Sequence, residues 1–207
     1  MKPTALLAAV ALSLTTALPA MAACSEYPRP GVDWSGCDMS IFLAEKSSNY
    51  LVRADLSGAD LTGTFLTGLD LTGAVLTGAD LTDADLTKAD LTDADLTDAV
   101  LTRTDLTGAD LHDVDLTRAV LTDANMTDVK MRRANMTDAD LTGANLTSAS
   151  LSEAILIKTN LHGANLSGSN LHQLDLTSAD LSDANLFGAT WINGIVCELG
   201  SIGTCNW

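Results

Sequence analysis

Leucine or methionine occupies every fifth position of this chain from Leu51 to Leu186 without a gap. A period of five matches neither the 3.6-residue period of an α-helix nor the two-residue period of a β-strand. Repetition this strict is typical of solenoids, in which a short unit buries its apolar side chain only by stacking on the next unit. The repeat therefore constrains the fold more than the composition does.

The five positions of each repeat differ in chemistry, and we name them by what they hold. The central position holds Leu or Met, and the small position, two residues earlier, is mostly Ala. The Asx position, just before the central one, is mostly Asp or Asn, and the Thr position, just after it, is mostly Thr or Ser. The turn position, two residues after the central one, is variable. This pattern predicts two inward and three outward side chains per repeat.

The repeat resembles the motif A(D/N)LXX of the pentapeptide-repeat family, and residues 79–98, ADLTDADLTKADLTDADLTD, show it four times in succession. The resemblance covers residues 49–190. It implies an all-β fold, a right-handed quadrilateral β-helix with one repeat on each side and about twenty residues per coil. About seven coils at the ~4.8 Å separation of paired strands would make a rod roughly 34 Å long.

Several individual residues lead to further structural predictions. Leucines at the small position, Leu69 and Leu174, should cause local bulging or end a regular stretch, because space there is limited. The Asx residues should bond to nearby backbone and act structurally. Asparagines twenty residues apart should stack on one side: Asn125, Asn145, Asn165 and Asn185. Three methionines should point inward as core residues: Met126, Met131 and Met136.

The N-terminal segment 1–22 has the pattern of a secretory signal peptide. Lys2 precedes an apolar run, and Ala20-Met21-Ala22 is a small-x-small site that predicts cleavage between Ala22 and Ala23. A membrane span is less consistent with the sequence, since Ser, Thr and Pro interrupt the apolar run. A second interpretation takes MAAC as a lipoprotein box with a lipid anchor on Cys24.

Both ends of the solenoid depart from the repeat and are predicted to cap it. Residues 23–50 form an N-terminal cap with an out-of-register insertion, residues 51–190 the β-helix, and residues 191–207 a C-terminal cap. Four cysteines remain after cleavage, two in each cap. Three disulfide connectivities are open, and the two local pairs, Cys24 with Cys37 and Cys197 with Cys205, are favoured in an oxidising compartment. Apolar residues of the second cap are candidates for capping or for a homodimer interface: Trp191, Ile192, Ile195, Val196 and Trp207.

The sequence offers little catalytic chemistry. It predicts no catalytic residue, no metal site and no cofactor, because no nucleophile–base pair, ligand cluster or nucleotide-binding motif emerges. The one irregular surface is a predicted basic patch on one side of the rod, a possible site for a partner. Its residues are His112, Lys130, Arg132 and Arg133; repeat drift on a solvated face is the plainer interpretation.

These observations predict a non-enzymatic structural or protein-interaction scaffold, exported to the periplasm or the cell exterior, whose protein partner the sequence does not name. The net charge of −16 disfavours direct nucleic-acid binding. One alternative comes from the family: some members resemble B-form DNA, bind gyrase and protect bacteria from fluoroquinolones. A signal peptide would separate this chain from cytoplasmic gyrase. Ice binding by the Thr rows is a further alternative, although charged residues flank those rows.

Overall fold

The computed structural model describes Val32 and residues 51–206, and in that part the chain winds into a parallel β-helix. Bridges join residues twenty apart, such as Asp55 with Val75 and Val75 with Asp95, so one coil is twenty residues long. Residues 51–190 make seven coils. The described residues contain no helix and no extended strand, and each repeat of the β-helix has at most one bridging residue. The predicted right-handed quadrilateral β-helix is confirmed.

Each coil has four sides, which we number by their central residues. Side 1 carries central residues 51, 71, 91 and onward, and sides 2, 3 and 4 begin with central residues 56, 61 and 66. Sides 1 and 3 are therefore opposite one another. Main-chain bonds hold successive coils together: Leu106 N–H donates to Asn125 O at 2.7 Å, and Asp105 N–H donates to Ala84 O at 2.9 Å.

A tight turn at each corner explains the period of five. In each turn the small residue of one repeat donates its N–H to the central carbonyl of the repeat before it, as Ala84 does to Leu81 at 3.0 Å. The turn position has positive φ in every repeat of residues 51–190 except that of Ser178, with 59° at Asp83 and 65° at Gly78. Positive φ at the second central residue is the pattern of a type II turn. The chain therefore turns once in every repeat.

The Asx side chains stabilise these corners. Oδ1 of Asp80 accepts the backbone N–H of Thr82 at 2.9 Å, and Oδ1 of Asp85 accepts that of Thr87 at 2.9 Å. A short acidic or amide side chain reaches a backbone donor two residues ahead, which a longer or apolar one does not. The predicted bonding of Asp and Asn to nearby backbone is confirmed.

Substitutions at Gly78 should isolate the cost of the left-handed corner. An added Cβ at this residue would meet nothing within 4 Å, so only the backbone conformation opposes a side chain. We expect Gly78→Ala to lower the free energy of unfolding by about 1 kcal/mol and Gly78→Val by more, whereas Gly78→Asn costs least. Urea titration of the three variants measures the order. Equal stability for all three would contradict a left-handed Gly78.

The core is a continuous column of central and small side chains. Leu106 and Ala109 have no exposed surface, and the same holds within a few per cent for almost every central and small residue of residues 51–171. The predicted inward orientation of the methionines is confirmed, because Met126, Met131 and Met136 are fully buried. A rod with this interior is stabilised by apolar burial on all four sides.

The two leucines at small positions behave differently. Leu69 is buried within a regular repeat, and its bridge from Asp70 to Asp90 is intact, so the prediction of bulging there is wrong. At Leu174 the prediction is confirmed, since Asp175 forms no bridge with Ile155. The corner bond stretches to 3.2 Å at Leu69 and 3.4 Å at Leu174. A side chain larger than alanine thus lengthens the corner bond, and only at Leu174 is the bridge to the neighbouring coil lost.

The two sites differ in the coil that comes after each leucine. The repeat of Leu69 is bonded to a complete next coil, where Asp90 N–H donates to the Leu69 carbonyl at 2.9 Å. The repeat of Leu174 belongs to the last coil on side 2. The C-terminal residues pair instead with sides 1 and 4, at Thr190 and Asn185. Support from one neighbouring coil alone does not hold the larger residue in register.

Threonine or serine replaces alanine at some small positions, and the burial of these residues was not predicted. Thr104 and Thr159 are fully buried, and each hydroxyl donates to a main-chain carbonyl of the preceding coil. The acceptors are Leu81 O at 2.7 Å and Met136 O at 2.8 Å. A buried hydroxyl is tolerated in an apolar core when it is bonded in this way.

Only Val32 of the predicted N-terminal cap is described. It is fully buried, and its carbonyl accepts the N–H of Asp60 at 2.9 Å. In the regular coils the acceptor lies 21 residues before the donor, as Ala59 does for Asp80, so Val32 takes the place of a small residue from an earlier coil. The signal peptide, its cleavage site at Ala22 and Ala23, and the pair Cys24 and Cys37 lie outside the described residues. Among those that are described, no helix is long and apolar enough to cross a bilayer.

Candidate functional site

The irregular charges of the middle coils gather on side 1. Asp110 is bridged to Lys130, which places the coil of His112 directly beside the coil of Arg132. The prediction that His112 and Arg132 lie on one side in adjacent coils is therefore confirmed. We call these residues, with Asp113, Arg133 and Glu153, the central charged cluster.

The central charged cluster is not a basic patch. Lys130 Nζ lies 3.4 Å from Asp110 Oδ2, and Arg132 Nη2 lies 2.7 Å from Glu153 Oε1. Arg133 pairs with both carboxylate oxygens of Asp113. Each of the three cations thus has a carboxylate partner in a neighbouring coil, and the prediction of a basic surface is wrong in its electrostatics. Whether these residues contact a partner stays a prediction.

The imidazole of His112 is held within the same network. Its Nδ1 contacts Oδ1 of Asp110, whose other oxygen faces Lys130. Burial raises the pKa of Asp110, but the hydrogen bonds from the side chain and backbone of His112 outweigh it, and the pKa of this carboxyl is lowered overall. Asp110 therefore links the imidazole of His112 to the ammonium group of Lys130, and it stays ionised at neutral pH.

Arg133→Gln should reduce stability at neutral pH and leave it unchanged in acid. The hydrogen bond from Arg133 lowers the pKa of Asp113 in the folded chain. A lowered folded-state pKa gives stability that is present above the unfolded value of about 3.9 and is lost as pH falls through the folded value. Urea midpoints of the variant and the parent should differ at about pH 7 and converge near pH 2.

Lys88→Gln is the matched control for this experiment. Lys88 is another cation at a turn position, with φ of 58°, and within residues 51–206 it makes no salt bridge. Its substitution should leave the midpoint nearly unchanged at both pH values. A deficit of Arg133→Gln that persists near pH 2 would show that the arginine acts through packing rather than through the Asp113 carboxylate.

Opposite charges one coil apart also form ion pairs on other sides of the rod. Arg103 Nη2 lies 2.6 Å from Asp83 Oδ2, and Arg118 Nη2 lies 2.6 Å from Asp98 Oδ2. These arginines lower the pKa of Asp83 and of Asp98. These pairs were not predicted, although their signal was present in the sequence as opposite charges one coil apart. Part of the acidic surface is therefore neutralised by ion pairs along the rod.

Side 4 carries an uncharged ladder. Asn145 Nδ2 donates to Asn125 Oδ1 at 3.4 Å, Asn165 Nδ2 to Asn145 Oδ1 at 3.4 Å, and Asn185 Nδ2 to Asn165 Oδ1 at 3.0 Å. The predicted asparagine stack is confirmed. Thr127 joins it, since its hydroxyl donates to Asn125 and accepts from Asn145 at 2.9 Å. These polar groups satisfy one another and form a rigid outer surface.

The C-terminal cap crosses the end of the last coil. Val196 pairs antiparallel with Thr190 on side 1, and Ile202 pairs antiparallel with Asn185 on side 4. Cys197 and Cys205 form a disulfide, as predicted. The cap therefore covers part of the strand edge that an open β-helix would expose.

The cap is also the most apolar exposed surface of the described chain. Val196 is 57% exposed, Leu199 84% and Ile202 52%, and Ile192 and Ile195 are also exposed. Trp191 is half-buried against the core, and Trp207 lies outside the described residues. The cap candidates thus divide: Trp191 packs inward, whereas Ile192, Ile195 and Val196 face solvent. Leu199 and Ile202 are also exposed apolar residues of the cap, and they were not predicted.

The described residues hold no group of three or more His, Cys, Asp or Glu side chains placed to bind a metal ion. His112 and His172 lie on side 1 three coils apart, and His162 lies on side 3, in keeping with the twenty-residue period. The side chains at the surface instead bond to one another, along and between coils. The candidate surfaces of this rod are the C-terminal cap and the central charged cluster.

Comparison with solved structures places this architecture among known folds. A trypsin-treated form of QnrB1, a plasmid-mediated fluoroquinolone resistance protein, is 17% identical and aligns over 82% of this chain and 86% of its own, with a TM-score of 0.51. HetL, a pentapeptide repeat protein involved in heterocyst differentiation in the cyanobacterium Nostoc, is 29% identical over 81% of this chain and 86% of its own, with a TM-score of 0.29. The likeness to QnrB1 supports a shared fold.

A pentapeptide repeat protein of the Arabidopsis thaliana thylakoid lumen is 30% identical over 55% of this chain and 69% of its own, with a TM-score of 0.39. No curated protein matches the sequence significantly. The family model described as pentapeptide repeats matches residues 54–93, 84–123, 94–133, 134–173 and 154–190. Together these matches cover residues 54–190, and the chain belongs to the pentapeptide-repeat family.

Proposed function

We propose that this chain is an exported, non-enzymatic scaffold that binds a protein through its C-terminal cap. The observation that carries the proposal is the contrast between the cap and the rod. Along the rod most outward side chains are polar and many bond to one another, with Phe65, Ile155, Ile157 and Phe187 as exposed apolar exceptions. The cap instead gathers exposed apolar side chains within one short segment, among them Leu199 at 84%. An exposed apolar cluster of this kind marks an interaction surface. A second copy of the chain is the first partner to test.

Cap substitutions test the binding surface. We expect the full chain to self-associate or to retain a host protein, and the double variant Val196→Asp/Leu199→Asp to lose that interaction by at least tenfold in affinity. Both side chains are exposed, so the variant should still fold. Sedimentation velocity and affinity capture from a native-host extract measure the two modes of binding.

The matched control places the same two charges on the rod. Ser148 and Gln173 occupy exposed turn positions, where aspartate stands in other coils. The variant Ser148→Asp/Gln173→Asp should bind as the parent does. Binding that survives in the cap variant, or that is lost equally in the control, would overturn the assignment of the cap.

Export is a separate part of the proposal and rests on the N-terminal sequence. We expect the intact mass from the native host to correspond to a chain that begins at Ala23 and is four hydrogens lighter than its thiol form. Added lipid on Cys24 would make it an anchored lipoprotein. A full-length chain with four free thiols would contradict export and favour the DNA-mimic alternative in the cytoplasm.

A further inference from the structure

The last residues form a strap across the open end of the rod. We define the cap strap as residues 192–206. Carbonyl groups of the strap accept hydrogen bonds from main-chain N–H groups at the open edge of the last coil. Leu186 N–H donates to Ser201 O at 2.9 Å, and Gly188 N–H donates to Cys197 O at 2.8 Å. In the other direction Gly203 N–H donates to Ala184 O at 2.9 Å. The cap strap thus pairs the strand edge on sides 1 and 4.

The cap strap has almost no apolar anchor in the core. Its buried residues are Cys197, Ser201 and Cys205 alone. The hydroxyl of Ser201 accepts the N–H of Asn206 at 2.9 Å, so this residue serves the internal bonding of the strap. The large apolar side chains of the strap face solvent. The disulfide is therefore the one apolar group by which the strap enters the core, and it is also the covalent tie that closes its loop.

We propose that the Cys197–Cys205 disulfide is a redox latch on the cap strap. While it is closed, it limits the conformational freedom of the unpaired strap and thereby favours pairing with the last coil. When it is reduced, the strap keeps its backbone bonds but loses the cross-link, and it opens more often. Opening frees the N–H groups of Leu186 and Gly188, which form an exposed strand edge of the kind that pairs with another chain.

The chemistry of release is thiol–disulfide exchange with a dithiol reductant. Cys205 is 8% exposed and Cys197 1%, so the reductant thiolate attacks Sγ of Cys205. The bond between the two cysteines breaks, Sγ of Cys197 leaves as a thiolate and takes up a proton, and a mixed disulfide forms on Cys205. The second thiol of the reductant then resolves this mixed disulfide. Two chain thiols and one oxidised reductant result.

Opening should be confined to the strap. Central residues of the inner coils, such as Leu146, are buried and bonded on both sides without any cysteine, and Leu146 N–H donates to Asn165 O at 2.7 Å. In a solenoid each coil contacts only its neighbours, so loss of a terminal contact does not require the interior to unfold. The opening of the strap can therefore be measured on the chain alone, without a partner protein.

Hydrogen exchange measured by mass spectrometry tests the latch on the full chain with Cys24→Ala/Cys37→Ala, so that one cysteine pair remains. We expect dithiothreitol to accelerate exchange at the amides of Leu186, Gly188 and Cys197 by on the order of tenfold or more. Exchange at Leu146 should not change. The variant Cys197→Ala/Cys205→Ala should show the same fast exchange without reductant.

Two results would overturn the latch. Strap amides that stay protected after alkylation has shown complete reduction would mean that backbone pairing alone holds the strap. Acceleration at Leu146 equal to that at Gly188 would mean that the disulfide supports the whole rod rather than the strap. If the Cys24→Ala/Cys37→Ala chain does not fold, the same amides are followed in the unsubstituted chain, where local and global exchange are again compared.

Discussion

Replacing Leu106 by alanine should lower the free energy of unfolding by about 3 to 4 kcal/mol. Leu106 is fully buried at a central position of side 4, between Leu86 and Met126 in the adjacent coils. Main-chain bonds fix its repeat to both neighbours, at 2.7 Å through its own N–H and at 2.9 Å through that of Asp105. Because the ladder holds the backbone on both sides, the site collapses little, and the cavity remains.

Leu106→Met is the control for this substitution. Methionine already occupies the next coil of the same column at Met126, which is fully buried, so the site accommodates an unbranched side chain of similar volume. We expect this variant to lose less than about 1.5 kcal/mol. Urea unfolding followed by circular dichroism measures both. Equal losses for Ala and Met, or a loss below about 1 kcal/mol for Ala, would contradict a rigid, fully packed column.

The architecture was predictable because every position of the repeat has one physical role. A residue such as Leu106 must be buried, its neighbour Asp105 must serve the corner, and stacking is the one arrangement that satisfies all copies together. The asparagine stack followed from the same period. These features depend on chain-wide regularity, so one sequence is enough to derive them.

The features that were predicted wrongly depend on comparison between coils. The basic residues Lys130, Arg132 and Arg133 were considered without the carboxylates of the adjacent coils, and those carboxylates neutralise them. Opposite charges 20 or 21 residues apart were visible in the sequence, so this error was avoidable. Leu69 and Leu174 are alike in sequence, and only the position of each coil relative to the end of the rod separates their outcomes.

The C-terminal cap was the least predictable region. Its composition indicated a cap, but the repeat ends there and no longer says which side chains face inward. Val196 and Ile202 pair through their backbones while their side chains face solvent, so apolar character does not imply burial in the cap. Thr104 shows the same limit of sequence-based prediction inside the rod. Its buried hydroxyl donates to the carbonyl of Leu81, and this acceptor can be identified only from the three-dimensional structure.

Asn145→Leu should lower the free energy of unfolding by about 2 to 3 kcal/mol, which is the summed net value of several hydrogen bonds at about 1 kcal/mol each, partly offset by exposure. Oδ1 of Asn145 accepts the N–H of Thr147 at 3.2 Å, its hydroxyl at 2.6 Å and Nδ2 of Asn165 at 3.4 Å. Its Nδ2 donates to the neighbouring coil at Asn125 and Thr127. Leucine has a similar shape and makes none of these bonds.

Asn145→Asp separates the two halves of this network. The carboxylate keeps all three acceptor roles and loses both donor bonds, and aspartate stands at the same position of the column at Asp105, where it accepts from Asn125 at 3.3 Å. We expect a loss of about 1 kcal/mol or less, measured by urea titration at neutral pH. An aspartate variant as unstable as the leucine variant would mean that the donor bonds between coils, rather than the corner, make asparagine necessary here. The repeat carries either Asp or Asn at this position, and the expected result explains why: the corner requires an acceptor, and the ladder adds stability where the amide supplies a donor.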